Sequence, residues 1–444
     1  MKRWNKLIER LIVLYIFVLP WQTMWIWRER FLGGAKWQYG TMIVYASQIL
    51  LWLILIGQLI VWFRRRPIAV RDALNVLAGR SGRQSSRRFL VAIIGLLTLW
   101  PLSSFFWSLD KSLVFYVWLQ LAGAIGLFVI ILAKGYSRLQ IAWPLMLAGL
   151  VQGGLAIIQF FNQRISANKW LGLAEHLSGD LGTAVIETAD GRWLRAYGSF
   201  NHPNVLGGFL AVSFLAGFLV YNRYQPGGRR ILAAISLAII SGGLFFSFSR
   251  SAWLALALIG ILGLVFYLGR ERLSLVQTLD KFKPALYGII IFAWLFIIYQ
   301  PLVIERASFS ERLEIKSAQE RISLMSEAKN ISQNNWLLGV GLGNYTVAAC
   351  RQYPLRSAFD CQPVHNLYWL IFAELGLIGL LLALVFIGLS IGQISRQQQK
   401  SWPLSWLILL LALSVFDHYL WTSYVGLMVF WLIMALVLIE DDNI

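Results

Sequence analysis

"NHPNVLGGFLAVSFLAGFLVY" occupies residues 201–221, and no charge follows its polar opening until Arg223. Asn, His, Pro and Asn suit a turn or a helix start. The remaining run, about 19 residues long, is enough for a helix to cross the hydrocarbon core of a bilayer. One such run is ambiguous, because a buried helix of a soluble protein can look alike. Repetition decides it. Runs of this kind recur at roughly 9–27, 41–63, 89–107, 112–133, 141–161, 203–221, 231–249, 251–268, 285–302, 364–391, 403–418 and 422–439, which predicts about 12 transmembrane helices.

Composition agrees. Of 444 residues, 58% are hydrophobic and 14% charged, and the mean hydropathy is +0.65. A soluble core has no use for so much apolar surface. An outer-membrane barrel would show ten-residue alternating segments, which the chain lacks. The expected fold is therefore an all-α polytopic membrane protein, one membrane domain over 1–444. The first run reads as a span rather than a cleaved signal peptide: it lacks a small-residue cleavage site and ends in WQTMWIWRER, whose Trp and Arg suit a membrane interface.

Lys and Arg set the expected orientation. With the N-terminus inside, the inner segments carry 23 of these residues and the short outer segments 5. The positive-inside rule puts both termini in the cytoplasm. The formal net charge of +18 centres on RRRPIAVRDALNVLAGRSGRQSSRR, 64–88, on the inner face. Attraction to anionic lipid headgroups explains it, and no nucleic-acid partner is needed.

Two long outer loops remain, about 162–202 and 303–363. The second contains SERLEIKSAQERISLMSEAKNI, 310–331, whose Leu313, Ile322, Met325 and Ile331 predict an amphipathic helix on the membrane surface or over the bundle. The glycines of LLGVGLGNY, 337–345, then turn the chain back; without a surrounding βαβ unit they form no dinucleotide fingerprint. Cys350 and Cys361 share this loop. An oxidising exterior favours a disulfide between them, with two unpaired thiols as the alternative.

The polar residues gather at the outward starts of three helices. Asn201 or His202 caps the run from Pro203, with Asn204 in its first turn. Two spans within 231–268 force a sharp turn near 249, which puts Arg250 at the outer surface. The span containing His365, Asn366 and Glu374 begins after Pro363. Helix N-termini attract anions, and Arg195, Arg250 and Arg321 can reinforce them. Phosphate matches several guanidiniums, each able to hold two oxygens.

A neutral His365 at an outward helix start can accept a proton, although a histidine there is also a common cap. Glu374, nine residues on, faces the opposite side of the helix and is not its direct partner. Asp417 and His418, at an outer turn, either join the site or cap that turn. The four histidines lack metal-ligand spacing, and neither HExxH, Walker A nor GxSxG occurs. No metal or cofactor is expected.

With these residues in view, the chain resembles the O-antigen ligase/O-antigen polymerase superfamily of membrane glycosyltransferases. RAYGSFNHPNVLGGFLA (195–211), SFSRSAWLAL (247–256), ERISLMSEAKNISQNNWLLGVGLGNY (320–345) and VHNLYWLIFAELGLIGLL (364–381) carry the likeness, in the family's order, over about 195–390. The resemblance implies a GT-C-like enzyme of the bacterial inner membrane with a periplasmic site. Its donor would be an undecaprenyl-diphosphate-linked glycan, and its acceptor a hydroxyl of lipid A core, a polysaccharide or a protein. It assigns His365 to activation of the acceptor and Arg195, Arg250 and Arg321 to the diphosphate, with inversion at the anomeric carbon. Ligase, polymerase and protein O-oligosaccharyltransferase share this chemistry. A bicarbonate-type transporter of twelve spans is the alternative of a different class; it would place ionisable groups near mid-membrane, whereas here they gather at one face.

Overall fold

The computed structural model describes residues 2–64, 84–270, 275–308, 312–353, 356–397 and 400–440. Most of the basic stretch 64–88, the first residues of the amphipathic segment and the acidic end of the chain lie outside these residues.

The protein is mainly helical, with a helix at each expected span. In chain order these are α1 (Lys2–Val18), α2 (Ala46–Arg64), α3 (Gln84–Ser103), α4 (Lys111–Lys134), α5 (Arg138–Asn162), α6 (Pro203–Arg223), α7 (Gly228–Phe246), α8 (Arg250–Arg270) and α9 (Leu275–Ile298). Three shorter or more polar helices follow: α10 (Gln300–Ser308), α11 (Arg312–Asn334) and α12 (Tyr345–Gln352). The last four are α13 (Leu367–Arg396), α14 (Ser401–Phe416), α15 (Tyr419–Thr422) and α16 (Tyr424–Leu438). Among the described residues, seven helices, α2 to α7 and α13, are long and apolar enough to cross a membrane. α9 qualifies together with the helices after it, beyond a 90° bend; α8 is apolar over Arg250–Val265, and the apolar helices α14 and α16 are shorter.

One expectation is corrected. The run 9–27 is not a continuous helix: α1 stops at Val18, and Met24–Arg28 forms strand β1. Pro20 disfavours helical geometry at the residue before it, and MWIWR alternates aromatic with β-branched side chains as strands prefer. Its partner is a strand over Met42–Tyr45, at the start of the second expected span, with Trp25 opposite Val44 and Ile26 opposite Ile43. Trp25 and Trp27 project from one face of this hairpin and are exposed. Between α5 and α6 the chain forms two more hairpins, Arg164–Ile165 with His176–Leu177, and Val185–Thr188 with Gly191–Leu194.

The core is built around α6, of which 89% is buried. It packs on α5 and α7, which approach each other closely: a Cβ on Gly243 would lie 2.6 Å from the Gly153 Cα. Small residues at a helix crossing admit such backbone contact in a membrane.

α13 is broken at Gly376, whose φ of 68° and ψ of −170° interrupt the helical ladder. The freed backbone groups find partners from the glycine-rich stretch before α12. Val340 N–H donates to Ala373 O at 2.9 Å, Gly341 N–H to Glu374 O at 2.8 Å, and Leu377 N–H to Trp336 O at 2.8 Å. Trp100 Nε1 donates to Leu375 O at 3.0 Å. Unwound backbone survives in an apolar bundle only when protein satisfies it. LLGVGLGN does so, and its glycines permit the approach, since a Cβ on Gly339 would lie 2.3 Å from the Glu374 carbonyl.

Candidate active site

The site forms where α6, α8 and α13 begin. At the start of α6, His202 is the N-cap and its Nδ1 accepts the Asn204 N–H at 3.1 Å, with Pro203 in the first turn. An accepting Nδ1 requires a neutral ring. Burial, then the Arg195 guanidinium, pushes His202 down to about 3, although its outer edge reaches solvent. Asn201 is exposed beside it.

Asn204 points inward and joins two charges. Its Oδ1 accepts from Arg195 Nη2 at 2.8 Å, and its Nδ2 donates to Asp417 Oδ2 at 3.0 Å. Asp417 follows α14, and its Oδ1 accepts the His418 N–H at 2.8 Å. The same oxygen lies 3.5 Å from His365 Nδ1, two residues before α13. That contact is ionic in range but too poorly aligned for a full hydrogen bond, and Nδ1 has no other bond among the described residues. Burial alone would raise the Asp417 carboxyl; the neighbouring His365 imidazole, then His418 and His202, hold it well below the usual range.

The His418 ring lies 4.9 Å from that of His365, and its Nδ1 sits 2.7 Å from Thr422 Oγ1. Burial pushes His418 down to about 4 against the pull of Asp417.

The second half of the site is cationic. The turn between α7 and α8 runs through Phe248, a fully buried residue with a φ of 47°. Strain at a non-glycine residue persists only where its surroundings over-determine it. Here the carbonyls of both turn residues, Ser247 and Phe248, accept side-chain hydrogen bonds. Ser247 O accepts from Arg195 Nε at 3.0 Å, and Phe248 O from Arg195 Nη2 at 3.3 Å and Arg306 Nε at 3.4 Å. Arg250 opens α8 and donates from Nη1 to Arg306 O at 2.7 Å. Glu314 of α11 joins the cluster: Oε1 pairs with Arg306 Nη1, and Oε2 lies 3.0 Å from Arg250 Nη2. Arg321 is close enough to Arg250 for their charges to repel, and its Nε has no hydrogen-bond partner among the described residues.

The remaining expected residues fall around this centre. Asn366 caps α13, accepting from Trp369 N–H at 3.1 Å and donating to Val415 O at 3.1 Å. Glu374 is buried away from His365, accepting from Trp421 Nε1 at 2.8 Å and Tyr345 N–H at 3.4 Å. Cys350 and Cys361 are disulfide-bonded beside α12. Arg195 is only 4% exposed, with Nε and Nη2 bound to protein. Arg306 and Glu314 escaped the sequence reading. They sit on separate helices eight residues apart, and no spacing rule joins them.

His365, Asp417 and His418 offer one donor atom each within 4.8 Å of one another, a set able to hold a divalent cation. The same three also make a carboxylate-oriented imidazole. Arg195 lies one side chain from Asp417, and its field disfavours a further cation.

Together these features define a polytopic helical membrane protein with a histidine–carboxylate pair joined to an arginine cluster at one end of its bundle. Residues 235–384 match the family model described as O-Antigen ligase. The match covers about a third of the chain and agrees with the resemblance at the three motifs it includes, 247–256, 320–345 and 364–381, whereas the motif at 195–211 lies outside it. It spans Arg250, Arg306, Glu314, Arg321, His365 and Glu374, whereas Arg195, His202, Asn204 and Asp417 lie beyond it. No curated protein matches the chain.

Proposed function

We propose that the protein is an inverting, metal-independent membrane glycosyltransferase. It moves a glycan from an undecaprenyl-diphosphate-linked donor to a hydroxyl acceptor, such as lipid A core, at the outer leaflet. The observation that carries this is the continuity of the site: His365, Asp417, Asn204, Arg195, the Phe248 carbonyl, Arg306, Glu314 and Arg250 follow one another in contact. A proton acceptor and an anion cradle held by one network suit a reaction that deprotonates a nucleophile while a diphosphate departs.

In the mechanism, Asp417 faces Nδ1 of His365, which fixes that proton and leaves Nε2 to accept one from the acceptor hydroxyl. The hydroxyl oxygen attacks the anomeric carbon as the bond to the diphosphate breaks, in one displacement that inverts the centre. Arg250, Arg306 and Arg321 stabilise the charge growing on the diphosphate. Arg195 positions this machinery without touching the substrate. The acceptor separates a ligase from a polymerase or a protein O-oligosaccharyltransferase; the chemistry is common to all three.

The test is glycan transfer from a purified lipid-diphosphate donor, with donor binding measured separately. His365→Ala is expected to keep donor binding and lose transfer by about 10²- to 10⁴-fold. Asp417→Asn should approach the same loss, because the amide favours the wrong tautomer. Arg250→Ala should weaken donor binding as well. Wild-type activity should survive EDTA. Full transfer by folded His365→Ala removes the base, and selective loss with EDTA turns the histidine–carboxylate set into a metal site.

A further inference from the structure

Among the described residues, Glu314 is the acidic side chain that pairs with both Arg250 and Arg306, and it is 5% exposed. It is also the only buried residue in the first twelve of α11, Arg312–Ser323. The apolar residues of this half are at most half-buried: Leu313 and Ala318 are partly covered, while Ile315 is 41% exposed and Ile322 72%. The other half packs conventionally, with Leu324, Ala328 and Ile331 buried and contacts to α13. The N-terminal half of α11 is thus held mainly by charge, through Glu314 inside and an exposed Arg312–Glu187 pair at 3.0 Å outside. Few buried apolar contacts mean a low cost of local opening.

A carboxylate between two guanidiniums is bound much as one phosphate would be, with two oxygens meeting two forks. The pairing is uneven: Oε2 lies 3.0 Å from Arg250 yet makes no aligned hydrogen bond. Once the carboxylate leaves, Arg250 and Arg306 need another anion, and a diphosphate brings more charge than a carboxylate does.

We propose that Glu314 is an internal anion occupying the diphosphate position between Arg250 and Arg306, and that the N-terminal half of α11 is a lid which donor binding must displace. The proposal rests on the arginines being the diphosphate site. The donor's diphosphate exchanges with the Glu314 carboxylate, α11 swings outward about its anchored half, and the lid recloses when the diphosphate leaves. The latch offsets part of the cluster's positive charge between turnovers and rejects anions too weak to displace the Glu314 carboxylate.

The experiment measures binding of undecaprenyl diphosphate to detergent-solubilised protein. Glu314→Gln keeps the shape but removes the competing charge, so it should bind about tenfold tighter if the closed lid is populated about ten to one in the wild type. A second variant carries Arg312→Cys and Glu187→Cys, joined by a short bismaleimide to hold the lid shut; binding should fall at least tenfold relative to the uncrosslinked protein. If the wild type binds but Glu314→Gln binds equally or more weakly, the latch is overturned and the glycosyltransferase reading stands. Undiminished binding by the crosslinked protein overturns the lid however Glu314→Gln folds. If neither wild type nor Glu314→Gln binds the lipid diphosphate, the latch falls together with the diphosphate site.

Discussion

His418 carries its pH dependence in its surroundings. In an unfolded chain its imidazole takes up a proton near pH 6.5, whereas burial in the fold pushes it down to about 4. Between those values the unfolded chain binds more protons, so stability falls as pH falls from about 6.5 to about 4. Above 6.5 this contribution is fully present. His202 shifts the same way, to about 3, while Asp417 stays ionised through the window. The melting temperature of the solubilised protein should therefore be level near neutrality and decline as pH approaches 4, with His418→Gln removing part of the decline. A flat profile from pH 7 to 5 would count against a buried, neutral His418. The same scale shows what the sequence disclosed about the site. His365 and Arg250 were legible because each lies beside a helix start with a distinctive neighbourhood. Asp417 was legible as a candidate at an outer turn, but its pairing with His365 was not, since the link spans 52 positions and depends on how α13 meets α14. Arg306 and Glu314 looked like ordinary charges of a polar loop. Only the fold brings them against Phe248 and Arg250.

Among elements, apolar length was a reliable guide, since a bilayer demands long runs and leaves little choice of secondary structure. It failed where length and pattern disagree. Residues 24–28 continue an apolar stretch, but they alternate, follow a proline and have a partner strand at 42–45. The break in α13 was equally hidden. LGLIGLL reads as uninterrupted helix, and nothing local states that Gly376 adopts a positive φ or that LLGVGLGN supplies the missing hydrogen bonds. That dependence gives an expected outcome. Gly376→Ala forces a Cβ into left-handed geometry and within 2.1 Å of the Leu337 carbonyl. The conformation alone costs about 1–2 kcal/mol, and the clash adds to it. The variant should melt lower than Gly388→Ala, where a Cβ meets open space in the same helix. Equal melting temperatures would mean that the glycine-rich loop does not dock at the break.

For the whole molecule, the arrangement of charge and the placement of the site have to agree. The hairpin Val185–Leu194, the helices α10 and α11 and the starts of α6, α8 and α13 gather at one end, joined by contacts such as Arg312–Glu187 and Arg195–Ser247. The opposite end holds the link between α6 and α7, with Arg223, Arg229 and Arg230, and buried Arg138 donating to the last carbonyls of α16 at Leu436 and Ile439. By the positive-inside rule, the 23-to-5 distribution of Lys and Arg predicts that this second end faces the cytoplasm. The arginine cluster then faces outward, where a lipid-linked glycan would be presented. Charge asymmetry and site position come from different residues, so their agreement can fail. Single cysteines at Asp190, in the hairpin turn, and Gln225, in the α6–α7 link, are both exposed. In intact cells an impermeant maleimide should label Asp190→Cys and reach Gln225→Cys only after the membrane is opened. The reverse pattern would turn the arginines toward the cytoplasm and remove an outer-leaflet transferase altogether, whatever the geometry of His365 and Asp417.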